Sequence, residues 1–456
     1  MLLSSLGTSI ANVGLPTLAQ AFNASFQAVQ WVVLAYLLAI TSLVVSAGRL
    51  GDLIGRRRLL LAGLFLFTLA ATLCGLAPTL ELLIAARALQ GLGAAMMMAL
   101  TLALVGETVP KARTASAIGL LGSMSAIGTA LGPSLGGVLI SALGWRAIFL
   151  VSLPLGSLTF LLAYRYLPAA RQAAQKPHAG FDPLGTLLLA LTLAAYALAM
   201  TLGRGQFGLL NLALLLAALS GAALFVLTEA RVAAPLLPLA MFRDLQLSGN
   251  LAMCTLVSTV MMATLVVGPF YLARTLGLAP ALVGLALASG PLVAALTSAP
   301  AGRLADRFGT QPMTRCGLAG MAIACLSLAV LPETCDIAGY IAPLVLLTSS
   351  YALFQTANNS AVMADIAVEQ RGVISGLLNL ARNLGLITGA AVMGAVFALA
   401  TAAPEISSAP AAAIANGMRG TFAVALALVV AAFIIALGSQ APRHARAMQT
   451  PTDSDR

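Results

Sequence analysis

Two arginines stand inside long apolar runs, Arg87 in the run 80–106 and Arg382 in the run 372–401. A charge in the middle of a membrane helix costs about 2.5–3.5 kcal/mol on insertion scales, so such a residue faces a cavity or a partner rather than lipid. Gln90 and Met97 fall near one helical face with Arg87, Asn379 does so with Arg382, and Gln355 and Asn359 occupy the apolar run 337–362. With Asn12 these residues form a candidate binding site, able to hydrogen-bond a small molecule and to hold an anionic or neutral, polarisable group. For Arg87 a structural hydrogen-bond hub to Asn12 or Thr8 is an equal alternative. For the methionines, ordinary packing is favoured over ligand contact.

The same residues exclude other chemistry. The two histidines, His178 and His444, lie in polar stretches, and the five cysteines share no CxxC spacing. No constellation of catalytic or metal-ligating groups therefore falls within the apolar runs, so neither an enzyme nor a cofactor is expected. No carboxylate lies clearly within a run either. Glu81 and Glu107 are near run ends, and Asp52, Asp182, Asp306, Asp365 and Glu369 are at one edge.

A second feature is a repeated hinge. Gly48-Arg49-Leu50-Gly51-Asp52-Leu53-Ile54-Gly55-Arg56-Arg57-Arg58 is echoed by Gly302-Arg303-Leu304-Ala305-Asp306-Arg307-Phe308-Gly309, with the two aspartates 254 residues apart. Glycine there permits a tight turn and close helix approach, and aspartate accepts hydrogen bonds from backbone or arginine donors. Gly119/Gly376, Gly128/Gly385, Gly132/Gly389 and Gly137/Gly394 also pair at a constant offset of 257. Two copies of one unit are implied.

These elements must be membrane helices. The chain is 60% hydrophobic and 8% charged, against about 25% charged for a water-soluble domain. Its net charge of +10 is scattered between apolar runs as loop charges and does not suggest nucleic acid. Asking for about 20 apolar residues per span gives fourteen helices: 2–20, 29–48, 59–77, 80–106, 114–142, 147–167, 183–202, 207–228, 248–272, 280–301, 312–332, 337–362, 372–401 and 418–440. The first resembles a leader before Ala19-Gln20-Ala21, but no positive charge precedes it and Asn12 and Pro16 interrupt it. It reads as a span, and its abrupt beginning leaves a start upstream of Met1 open. With the N-terminus inside, 18 of the 24 Lys and Arg residues fall on the cytoplasmic side and four outside. That asymmetry supports the count and puts both termini and both hinges in the cytoplasm.

The expected organisation is all-α and polytopic. It comprises a six-helix bundle over 1–167, a cytoplasmic linker over 168–180, two inserted helices over 181–228, a connector over 229–247, a second six-helix bundle over 248–440 and a tail over 441–456. Asp182 followed by Pro183 is the cap and first-turn proline that start the insert. Parallel six-helix repeats around a midplane cavity are a transporter architecture.

With this topology, the chain resembles the major facilitator superfamily, and within it the fourteen-span drug:proton antiporter branch. Gly48–Arg58 is similar to that family's loop signature, Arg87-Ala88-Leu89-Gln90-Gly91 to its fourth-helix signature, and Gly128–Gly137 to its antiporter signature. Trp145 through Pro154 and Asn379 through Gly385 resemble patterns of the fourteen-span branch. Thr8–Pro16 resembles the first-helix signature, but Gly7 occupies its acidic position.

The resemblance implies a major facilitator fold in the cell inner membrane. It implies efflux of hydrophobic or amphipathic compounds by alternating access, with protons exchanged and an accessory periplasmic adaptor as a further partner. Transport of one specific metabolite or organic anion held by Arg87 and Arg382 is the alternative. The resemblance also assigns gating to Gly48, Asp52, Gly55, Arg56, Asp306 and Gly309. Close packing falls to Gly128, Gly132, Gly136 and Gly137, with a bend at Pro133.

Overall fold

The computed structural model describes residues 1–24, 26–167, 182–201, 208–232, 235, 237, 239–278, 280–332, 336–364, 366, 370–402 and 409–438. The expected linker and tail lie outside these, as do Asp365 and Glu369. Without water to satisfy the backbone, a chain in lipid must close its hydrogen bonds within each segment, and long helices do so.

Fourteen long helices are present among the described residues: α1 (Leu2–Ala21), α2 (Phe26–Ile54), α3 (Arg56–Leu76), α4 (Leu80–Thr108), α5 (Thr114–Leu143), α6 (Ala147–Tyr166, interrupted at Val151), α7 (Pro183–Thr201), α8 (Leu209–Glu229), α9 (Leu245–Thr275), α10 (Pro280–Phe308), α11 (Thr310–Ala329), α12 (Ile337–Ala364), α13 (Arg371–Thr401) and α14 (Ala411–Gly438). Among the described residues, thirteen stretches are long and apolar enough to cross a bilayer.

The first six helices pack around Tyr36, Phe67, Phe149 and their neighbours, and the last six around Tyr271, Phe354, Phe397 and Phe422. Between these halves, α5 lies along α10 and α13 lies along α2. The same relation thus occurs twice, as a duplicated unit requires. The inserted pair breaks the symmetry. Helix α7 rests on both α2 and α13, and Leu189, Leu193 and Phe225 of the insert join Val44, Val45, Val373 and Ile374 in one apolar cluster over that seam. The outer face of α8 presents Leu209 and Leu219, as a lipid-facing helix does.

The hinges differ from their sequence reading in one respect. Gly48–Ile54 and Gly302–Phe308 are the last turns of α2 and α10, and the turn itself is a single residue, Gly55 or Gly309. Both have positive φ, +101° and +87°, a conformation that favours glycine. The remaining hinge glycines serve helix contact. Helix α14 also starts earlier than the polar residues around Arg419 suggested, because Arg419 donates to the Leu331 carbonyl (3.1 Å) and stays within the helix.

Candidate functional site

A chamber of about 270 Å³ lies between the halves, walled by α5, α9, α10, α12 and α13. Of the residues expected to bind a ligand, Gln355, Asn359, Asn379 and Arg382 line it. Asn379 spans the halves, its Nδ2 donating to the Met98 carbonyl (3.2 Å) and to the Ser375 carbonyl (2.9 Å). Arg382 stands beside the Tyr351 phenol and the Cys254 thiol.

Arg87, Gln90 and Met97 lie elsewhere. All three are sealed inside the first half, at 0%, 1% and 3% exposure. The Arg87 guanidinium donates from Nε to the Val32 carbonyl (2.9 Å) and from Nη1 to Gln90 Oε1 (2.7 Å), and it lies 4.1 Å from the Tyr36 ring centroid. Arg87 is thus a hub, though to α2 and Gln90 rather than to Asn12 or Thr8. Asn12 is exposed on α1 and bonds only weakly to the Thr8 carbonyl (3.4 Å).

Sequence reading passed over Thr348 and Tyr351, which line the chamber with Gln355 and Asn359. Their spacing of three, four and four residues marks one polar stripe along α12, a signal available in the sequence.

The hinges join the two halves at the starts of α5 and α13. The Asp52 carboxylate accepts from the backbone N–H groups of Gly372 (3.0 Å) and Val373 (3.1 Å), at the start of α13 in the opposite half. Asp306 likewise accepts from the N–H groups of Ala115 (3.0 Å) and Ser116 (2.9 Å), at the start of α5, and from the Ser116 hydroxyl. The residues before these helices, Gln370 and Arg113, supply no side-chain cap of their own. A carboxylate at a helix N-terminus satisfies orphan donors and complements the helix dipole. Each half therefore caps a helix of the other.

Glycine brings the backbones close enough for this. A Cβ on Gly48 would run into the Gly372 carbonyl, and one on Gly302 into the Ala115 carbonyl. Around Asp52 the contact extends further. Arg56, 7% exposed, donates from Nη2 to Asp52 Oδ1 (2.8 Å) and from Nη1 to Glu107 Oε2 (2.9 Å), while Arg371 donates across the halves to the Gly106 carbonyl.

Deeper along α5, a Cβ at Gly128 or Gly132 would strike α1 at Leu2 or Ser9. Gly136 is buried, whereas Gly137 is exposed and has open space around it, so no close approach occurs there. Pro133 lies within α5, and its side chain is outside the described residues.

A polytopic helical protein of two repeated bundles, joined by reciprocal caps around a polar-lined chamber, has the architecture of a membrane transporter. Comparison with known proteins makes this specific. The Major Facilitator Superfamily model matches residues 1–390 and again 251–454, and the chain belongs to that family, whose members here are transporters and not enzymes.

Among its relatives, the multidrug resistance protein Stp of Mycobacterium tuberculosis is 34% identical over 396 residues (86% of this chain, 73% of that one). The riboflavin transporter RibZ of Clostridioides difficile is 30% identical over 396 residues (87% and 86%). The multidrug efflux pump LfrA of Mycolicibacterium smegmatis is 30% identical over 400 residues (87% and 79%). The fold is shared with the human organic anion transporter MFSD10 (TM-score 0.65, 17% identity, 95% of this chain and 97% of that one). It is also shared with the proton:xylose symporter XylE (TM-score 0.65, 15% identity, 96% and 93%).

Proposed function

We propose that this chain is an efflux transporter of the fourteen-span drug:proton antiporter branch. It sits in the cell inner membrane with hinges and termini at the cytoplasmic face, and exports hydrophobic or amphipathic compounds by alternating access. The observation that carries the reading is the chamber itself, apolar on one wall and amide-bearing on the other, between halves that two equivalent caps join; in this reading the caps shut its hinge face. Loosely selective sites combine adaptable apolar surface with a few polar anchors, and Met261 on the chamber wall is such an element. The names of the multidrug relatives agree with this cargo class.

Opening the hinge face breaks both caps, and opening the far face restores them. Protons, in this reading, are exchanged at the hinge carboxylates Asp52, Glu107 and Asp306, because no described carboxylate lies on the chamber wall.

Inverted membrane vesicles loaded with a pH-sensitive dye test the reading. A panel of cationic, neutral and anionic compounds is added, and dye response and compound uptake are followed together. Uptake of chemically unrelated amphiphiles with a matching dye response is expected. Uptake of one metabolite alone would replace the multidrug reading, and uptake of none would end it.

A further inference from the structure

The chamber is electrically lopsided. Its hydrogen-bonding groups lie mainly on α12 and α13, whereas the facing wall from α5 is Ile118, Leu121 and small residues. Among the described residues Arg382 is the one charged side chain on this wall, and no Asp or Glu joins it. Its Nε is buried without a hydrogen-bond partner, and the Tyr351 phenol and the Cys254 thiol stand beside its guanidinium. The described carboxylates are all at helix ends. Asp182, Asp244 and Asp336 cap their own helices, Asp52 and Asp306 cap helices of the opposite half, Glu81 begins α4, and Glu107 and Glu229 end α4 and α8.

A guanidinium left without a counter-charge in a chamber of low dielectric constant repels a cationic cargo and gains most from an acidic one. Arginine also presents a planar fork suited to carboxylate, sulfonate or phosphate oxygens. The second interior arginine does not compete for that role, because Arg87 is fully buried on Val32, Gln90 and Tyr36.

We propose that the preferred cargo is an amphipathic monoanion, its acidic group on Arg382 and its apolar body against α5, and that carrying it is electrogenic. This rests on the transport reading above and narrows its cargo. The electrical consequence follows from charge counting. The loaded site is neutral and the empty site carries the Arg382 charge, so the returning site moves one positive charge against the anion's path, and an exchanged proton moving the same way adds to that charge. An inside-negative membrane draws the empty site inward and expels the anion. One elementary charge across 100 mV supports roughly a fifty-fold concentration ratio.

The test uses the full chain reconstituted in phospholipid vesicles preloaded with 8-anilinonaphthalene-1-sulfonate, an aromatic anion that stays ionised. A potassium gradient with valinomycin sets the potential, and ethidium serves as the cationic counterpart. The expected result is anion efflux several-fold above protein-free vesicles, faster when the interior is negative. It falls about tenfold or more in Arg382→Gln and is largely regained in Arg382→Lys, which keeps the charge and controls for folding. Protein-dependent ethidium flux without anion flux, or anion flux unchanged in Arg382→Gln, would overturn the inference while leaving the transport reading standing. Anion flux indifferent to the potential would overturn its electrogenic part. Flux of neither probe would overturn both.

Discussion

At the first hinge Asp52 divides its carboxylate between two backbone amides of α13 and the Arg56 guanidinium, which reaches on to Glu107. At the second, Asp306 holds two amides of α5 and the Ser116 hydroxyl, and no guanidinium lies on it among the described residues. Arg307 turns instead over the Phe308 ring, 5.3 Å from its centroid. The element common to both is the cap placed on a helix of the other half. The ion-pair network is an addition at one of them, which implies that reciprocal capping is the working part of the hinge. The arginines at the first set how firmly it holds.

The comparison can be broken most severely through the glycines. Gly48→Leu places a side chain against the Gly372 backbone, which cannot swing aside, so closure of the hinge face is expected to fail and transport to fall about a hundredfold or more. Protein yield should remain measurable, and flux in reconstituted vesicles checks it.

Removing the carboxylates comes next. Asp52→Ala removes a cap and leaves the nearly buried Arg56 with Glu107 alone, a loss of about 3 kcal/mol from the closed state. Asp306→Ala removes a cap with no ion pair attached, about 1–2 kcal/mol. In populations these are roughly a hundredfold and tenfold shifts toward an open hinge face. The rate at which a membrane-impermeant thiol reagent labels Ser298→Cys on the chamber wall reads both. Equal shifts would show that the Arg56 network contributes nothing.

Glu107 is 42% exposed on its side chain, so Glu107→Gln is expected to move the same labelling rate by less than about threefold. The smallest effect belongs to Gly137→Ala, whose Cβ enters open space, and thermal stability should change by no more than about 0.5 kcal/mol. Gly132→Ala, which drives its Cβ onto Ser9, should cost more.

Much of this architecture was written in the sequence. Helix limits followed from runs of apolar residues, and the register of Gly119, Gly128 and Gly132 with Gly376, Gly385 and Gly389 reappears as equivalent contacts. Gly119 and Gly376 meet the second helix of the opposite half, while the other two pairs meet the first helix of their own. The fates of Arg87 and Arg382 were not legible. Each is a lone arginine in an apolar helix with an amide three residues away, and only the neighbouring helices decide that one is sealed against Tyr36 while the other faces the chamber. The caps were half legible. Asp52 and Asp306 stood out, but their acceptors' partners are backbone amides on helices 320 and 191 residues away, and amides leave no mark in a sequence. Asp244, read as connector, proved to be the cap that starts α9.

The central claim is that reciprocal caps hold the hinge face shut. Its most direct test is the distance between spin labels on Arg58→Cys of α3 and Gln311→Cys of α11, exposed sites on opposite halves, in a background with the five native cysteines replaced. Pulsed electron resonance should give a single short distance for the otherwise unaltered chain and a dominant longer one when Asp52→Ala and Asp306→Ala are combined. A distribution unmoved by the double substitution would contradict the account.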